Sequence, residues 1–373
     1  MVHTFEIIRQ LNIDELNELI ATFNPCEYSV QRFFDLHRRC GIIKIPISRR
    51  YPEYGIKCLL LIRYSDRTTT NYYAVLRIEP RIMLTRTRTI SLFHCSRNNV
   101  CRLSERFGEI ISNIFPDSCS YMSALSSWNC RRIDYAANLY LETESNVQLF
   151  LDLSKKSSRY VRKTLKRVRG IRRQEQSTAE GNGSVKTILY DKQRQTKRCY
   201  RHIDSSEQER LTDETRGIVR LEVQCKKTKV QTLKRKYDFS DRSIVHYLQE
   251  YISGALLFNE YDNIIGKGNF YSRYHAEKII NNSTLSANKK QKLLLLMMLI
   301  AKTRHISEAK RRFIEGTTVR HNREDVPLQG SENTFRAYLD DLATLGINPV
   351  LIPKERHITT LKSPRLQIIF HTV

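Results

Sequence analysis

The chain has 373 residues, 63 lysines and arginines against 39 acidic residues, and a formal net charge of +24. Hydrophobic residues make up 40%, enough for a packed core, which excludes global disorder. No run approaches the roughly 18 to 20 apolar residues of a membrane span, and MVHTFEIIRQLNIDEL carries acids where a signal peptide needs an apolar stretch, so a soluble protein of the bacterial cytoplasm is expected.

Met1–Ile8 reads as an opening strand and Asp14–Phe23 as a helix capped by Asp14. KCLLLIRY (57–64) and NYYAVLRI (71–78) are strand-forming runs around the turn-like SDRTT, which predicts a hairpin ended by Pro80. Apolar residues at 100, 103, 107, 110, 111 and 114 predict a helix over Val100–Phe115. Arg131–Leu139 alternates as a strand, followed by a helix over about 145–165. Two more strands are expected at Ser184–Lys192 and Gly217–Lys226. Past a boundary placed near Phe239, helices are predicted over Ser243–Phe258, Tyr274–Ile280, Ala287–Ala301, Ser307–Ile314 and Glu332–Leu345. The expected architecture is α+β, an antiparallel sheet flanked by helices over 1–238, joined to a helical domain over 239–373.

The charge implies a polyanionic partner, nucleic acid before ribosomes or anionic membrane surfaces, and no membrane insertion. Between 155 and 173 lie Lys155, Lys156, Arg159, Arg162, Lys163, Lys166, Arg167, Arg169, Arg172 and Arg173, with no acid among them. Such a cluster repels itself unless phosphates neutralise it, so it is a candidate DNA-backbone contact, continuing into a flexible loop at about 166–184. A solvated helix end and linker is the simpler alternative. At the C-terminus, helix Glu332–Leu345 followed by short extended pieces outlines a winged helix-turn-helix. Its reading helix would carry Arg336, and its wing Lys354, Arg356, His357 and Lys362. A plain helical bundle fits the same pattern.

Nine scattered cysteines without a Cys-x-x-Cys argue for reduced thiols rather than disulfides or a zinc ribbon. No histidines lie at i and i+2, and there is no Walker A motif, which excludes a His-hydrophobic-His metal site and a nucleotide-driven motor. Acids inside strands stand out. In RRIDYAANL one face carries Arg132, Asp134 and Asn138, and in IVRLEVQCK one face carries Arg220, Glu222 and Gln224. Carboxylates on adjacent strands can share a divalent cation. They can equally make cross-strand salt bridges, Arg132 with Glu222 and Arg220 with Asp134. In SVKTILYDKQ, Tyr190 and Lys192 share a face, and a tyrosine beside a metal site suits phosphodiester transesterification. Nineteen tyrosines are present, so position alone does not single it out.

RRIDYAANL, NGSVKTILYDKQ and GIVRLEVQCKK, in that order, resemble segments of the filamentous-phage gene II replication protein and related phage and plasmid replication proteins of bacteria. NYYAVLRIEPRIML, EYDNIIGKGNFYSRYHAEKII and LGINPVLIPKE extend the resemblance over roughly Tyr72 to Glu355. It implies a rolling-circle replication initiator, a site-specific endonuclease that nicks and rejoins one strand of single-stranded or extruded origin DNA for a phage or plasmid. The strand would be held through a covalent phosphotyrosine. By motif, the nucleophile falls on Tyr190, the Mg²⁺ or Mn²⁺ ligands on Asp134 and Glu222, and the supporting cation on Lys192. Arg132, Arg220, Gln224 and Asn138 would support these groups, and a host helicase and polymerase would be partners, with homodimerisation open. The alternatives are a non-catalytic origin-binding initiator or repressor, and an RNA-binding protein stacking bases on Tyr72, Tyr73 and Tyr135.

Overall fold

A computed structural model describes residues 1–35, 37–157, 177–181, 183–201 and 203–370. Its centre is one antiparallel sheet built from β1 (Val2–Leu11), β2 (Cys40–Ile45), β3 (Ile56–Ser65), β4 (Thr70–Ile78), β5 (Asn129–Tyr140), β6 (Ser177–Gly181), β7 (Val185–Asp191) and β8 (Ile218–Cys225). The spatial order is β2-β3-β4-β1-β5-β8-β7-β6. Alternation assigns the faces. Phe5, Ile7, Leu59, Leu61, Leu76, Ile133, Tyr135, Leu189, Leu221 and Val223 point to one side and are buried there. Helices cover that side. Arg97–Ile114 buries Leu103, Phe107 and Ile110, with Phe107 edge-on to the buried Trp128.

The part after Phe239 is anchored to this same covered face. The helix Glu250–Ile264 lies against β5 and β8. Tyr135 Oη donates to the Tyr247 carbonyl at 2.8 Å, and Thr187 Oγ1 donates to Glu260 at 2.9 Å. Hydroxyls buried among apolar side chains need such partners, so these bonds fix how the helical part docks. A buried cation does similar work near β2. Arg63, within the core, donates to the carbonyls of Phe33, Asp35 and Arg38, closing the end of helix Glu27–Phe34. Its ladder partner is Gly41, where a Cβ would come within 2.3 Å of the Phe33 carbonyl oxygen. Only glycine lets the helix end descend onto the sheet there.

Several expectations need correction. Asn12, not Asp14, caps the first helix, exchanging hydrogen bonds with Glu15 in a capping box. The helix expected at Ser243–Phe258 is a single turn at Ile244–His246 and a separate helix from Glu250. Helix Glu332–Thr344 is present, but no ribbon follows it. Pro349 and Pro353 lack the donors a ladder needs, Val350 and Ile352 are buried, and Thr360–Leu361 pairs instead with Phe270–Tyr271. A hairpin does occur earlier, Thr317–His321 with Glu324–Leu328, turning through Asn322 and Arg323, both at positive φ. It follows the paired helices Ala287–Thr303 and Ile306–Glu315.

Candidate active site

Ladder register brings the sequence-singled strands together. Tyr190 stands opposite Arg220, Arg220 opposite Asn138, Gln224 opposite Asp134, and Asp134 opposite Thr4. Directly paired residues share a face, so all of these project from the side opposite the core cluster, where Thr4, Asp134, Asn138 and Arg220 are nonetheless buried and the Ile90 carbonyl reaches over to Arg220. Three irregularities enrich that open face. Between Val2↔Tyr135 and Thr4↔Asp134 the extra residue is His3; between Glu6↔Arg132 and Ile7↔Cys130 it is Arg131; between Ile56↔Ile78 and Cys58↔Arg77 it is Lys57. A bulge puts two successive side chains on one face, and each of these adds an imidazole or a cation to it.

Glu222 is the hub. Its Oε2 accepts from the Tyr190 hydroxyl at 3.3 Å and lies 3.5 Å from His3 Nδ1, while its Oε1 accepts from Gln224 Nε2 at 2.6 Å. Burial alone would raise this carboxyl, but His3, Gln224 and Arg220 outweigh it and hold Glu222 at about 2. Glu222 is therefore an anion at neutral pH. Tyr190 is half-buried, and burial, with the adjacent Glu222 charge, pushes its phenol above the ordinary value against the pull of Arg220. Arg220 is fixed by Asn138 Oδ1 at 2.9 Å and by the carbonyl of Ile90. Lys192 opens the helix after β7, and its Nζ donates to Gln195 Oε1 at 2.7 Å. Burial and the charge of Arg220 lower it to about 7.

Asp134 is placed beside this hub but is otherwise engaged. Arg132 grips both its oxygens at 2.8 and 2.7 Å, and Thr4 Oγ1 donates at 2.6 Å. Burial raises its carboxyl, with Glu222 adding, and the Arg132 fork pulls the other way. Neither expected cross-strand salt bridge forms. Arg132 pairs within its own strand, and Arg220 pairs with an amide, because the diagonal cross-strand reach is longer than the i, i+2 step along β5.

The two carboxylates expected to share a cation stand on one face, each already hydrogen-bonded to its own partners. Among the described residues, no three His, Cys, Asp or Glu side chains gather as a ligand group. The donors that do fit a divalent ion are Glu222 and His3, whose Nδ1 faces the carboxylate at 3.5 Å. A nitrogen–oxygen pair suits Mn²⁺ better than Mg²⁺. Sequence reasoning missed His3. Its signal was the adjacent polar pair His3-Thr4 interrupting an otherwise alternating strand, the signature of a bulge.

Of the expected DNA contacts, Lys155, Lys156, Arg336, Lys354 and Arg356 lie among the described residues. Arg159, Arg162, Lys163, Lys166, Arg167, Arg169, Arg172 and Arg173 lie outside the described residues. Lys155 and Arg356 both meet Asp152, and Arg336 meets Glu332. Lys156 and Lys354 line a cavity of about 920 Å³ with Arg273 and Arg304. Of the three tyrosines proposed for base stacking, Tyr135 is buried and Tyr72 packs on Phe33, so Tyr73 alone faces outward. No family model matches the chain, and no curated protein or solved structure matches it either.

Proposed function

We propose that this protein cleaves and rejoins a single DNA strand through Tyr190, as an initiator of rolling-circle replication. The observation that carries the reading is the half-buried Tyr190 phenol hydrogen-bonded to an ionised, buried Glu222 on a sheet face rich in arginine. In the forward step the Tyr190 oxygen bonds to the scissile phosphorus as the bond to the 3′-oxygen breaks, and the 5′ end stays on the enzyme. Glu222 orients the phenol through the existing hydrogen bond, the phenol proton leaves to solvent as the phosphorus–oxygen bond forms, and the leaving 3′-oxygen gains a proton. Because one phosphoester replaces another, the reverse attack by a 3′-hydroxyl restores the strand. Arg220 sits across the ladder from Tyr190, where its charge favours the developing phenolate. Lys192, titrating near neutrality, is suited to exchange protons in the same cluster. A Mn²⁺ or Mg²⁺ ion held by Glu222 and His3 would supply charge withdrawal from the phosphate. Asp134 acts through Arg132 and Thr4, keeping the face rigid.

The helix pair Ala287–Thr303 and Ile306–Glu315 with its following hairpin is the better candidate for a winged unit than the C-terminal segment. A non-catalytic DNA binder is the second reading, favoured by how fully Asp134 and Glu222 are already hydrogen-bonded. Incubation with Mn²⁺ and single-stranded DNA from the parent replicon separates the two. Cleavage predicts a protein–DNA adduct that survives denaturation and disappears in Tyr190→Phe with DNA binding retained. An adduct undiminished in that variant removes Tyr190 from the mechanism.

A further inference from the structure

Continuing the ladder past β1 follows the open face to its far corner. Gln10 stands opposite Tyr73, Tyr73 opposite Ile62, and Ile62 opposite Ile42, with Tyr64 one ladder step beyond. Register parity puts these on the same face as Tyr190. Their surroundings differ from those of the hub. Tyr64 is 49% exposed and Ile42 57%, Leu60 and Tyr73 are half-buried, and the two tyrosine rings meet edge to face at 6.2 Å. Large apolar groups on an open face call for an occupant.

The charge between the two corners says which. On the diagonal from Tyr190 to Tyr64 the face carries Arg132, Arg131 and Arg77, gathered on Glu6, with Lys57 and Lys44 beside them. The acids there are Glu6, Glu79 and Asp134, so five cations face three anions. From strand and residue spacings the corners are roughly 40 to 45 Å apart. A nucleophile, a cationic band and an aromatic platform in line match a chain with a charged backbone and flat, apolar side groups.

Resting on the reading of DNA as substrate, we propose that Tyr64 and Tyr73, floored by Ile42 and Leu60, form a base-stacking platform for single-stranded DNA. The strand runs diagonally over the open face to Tyr190. Its phosphates lie on the Arg77–Arg131–Arg132 band, and its bases stack on the tyrosines without sequence preference. A second copy of this chain is the competing occupant, and the cationic band argues against it, since two such faces repel.

Trp128, the chain's one tryptophan, is fully buried, so Tyr64→Trp introduces an exposed fluorophore that keeps an aromatic surface. The platform predicts quenching of that tryptophan as oligothymidine is added, reversed by salt. Tyr64→Ala with Tyr73→Ala should weaken binding of a long oligothymidine by about ten-fold or more, with no loss for one too short to reach from Tyr190. An abasic strand of the long length should bind both proteins equally. Tyr190→Phe should leave the quenching unchanged. Quenching without any adduct in the wild type would remove the cleavage reading and keep the platform. The platform is overturned if DNA binds with no change in the Tyr64→Trp signal, if RNA of matched sequence binds more tightly, or if the signal depends on protein concentration alone.

Discussion

The two ends of the open sheet face are built from the same alternating strands and filled in opposite ways. Over β1, β5, β8 and β7 the outward residues bond to one another: Thr4 and Arg132 to Asp134, Gln224 and Tyr190 to Glu222, Arg220 to Asn138. Over β4, β3 and β2 they include Tyr73, Leu60, Tyr64 and Ile42, with the two tyrosine rings edge to face and Tyr64 and Ile42 exposed. The first arrangement fixes atoms in place, as bond-making chemistry requires. The second offers area and tolerates sliding, which suits binding that must not depend on sequence. A replacement should therefore act on geometry at one end and on affinity at the other.

The largest expected effect tests the hub. Glu222→Gln should slow adduct formation by about 100-fold or more with the fold intact by circular dichroism. Asp134→Asn should slow it far less while lowering stability by about 1 to 3 kcal/mol, because Arg132 loses its carboxylate. Equal rate losses in the two variants would mean that both acids act directly, as the sequence alone allowed. Next comes the covered face. Arg63→Met strips donors from one buried and two part-buried carbonyls and should cost about 3 kcal/mol in urea unfolding. Wild-type cleavage kinetics in the surviving folded fraction would show that this cation only builds the scaffold.

The smallest effect is read through pH. Unfolded, Lys192 keeps its proton up to about 10.5, its ordinary value, and folded only up to about 7. Between those values the unfolded chain binds the extra proton, so this group makes stability rise with pH across that window and is most costly below pH 7. Lys192→Met should flatten that rise and stabilise the protein at pH 6 by a few kcal/mol, on the order of the shift's free-energy equivalent. A slope unchanged between pH 7 and 10 would mean that Lys192 stays solvated.

Alternation was enough to locate β1, β3, β4, β5, β7 and β8 and to place Asp134, Glu222 and Tyr190 on one face, because a period of two fixes direction without knowledge of neighbours. It could not show what each acid meets. Arg132 sits two residues from Asp134, and the choice between that partner and Glu222 depends on reach across the ladder. The short CGIIKI strand was illegible because its Gly41 is there for the Phe33 carbonyl and carries no strand preference. The Thr317–Leu328 hairpin hid behind its charged turn and Pro327. His3 escaped because strict alternation cannot represent a bulge.

The position of β1 in the sheet has a consequence for how the protein forms. Phe5 pairs with Ile78 on one side and with Ile133 on the other, so the strand that precedes all the rest has no sequence-local neighbour. β3 with β4, and β7 with β8, are joined through far shorter separations. During synthesis the β3–β4 hairpin can close early, whereas β1 waits with both edges unpaired until Ile78 has emerged, and with one edge unpaired until Tyr140 has. Closing so long a segment is entropically slow, and an exposed apolar ribbon invites mispairing meanwhile. Pairing of β1 with β5 is the longest-range closure in the sheet, and until it is made one edge of β1 stays open to mispairing.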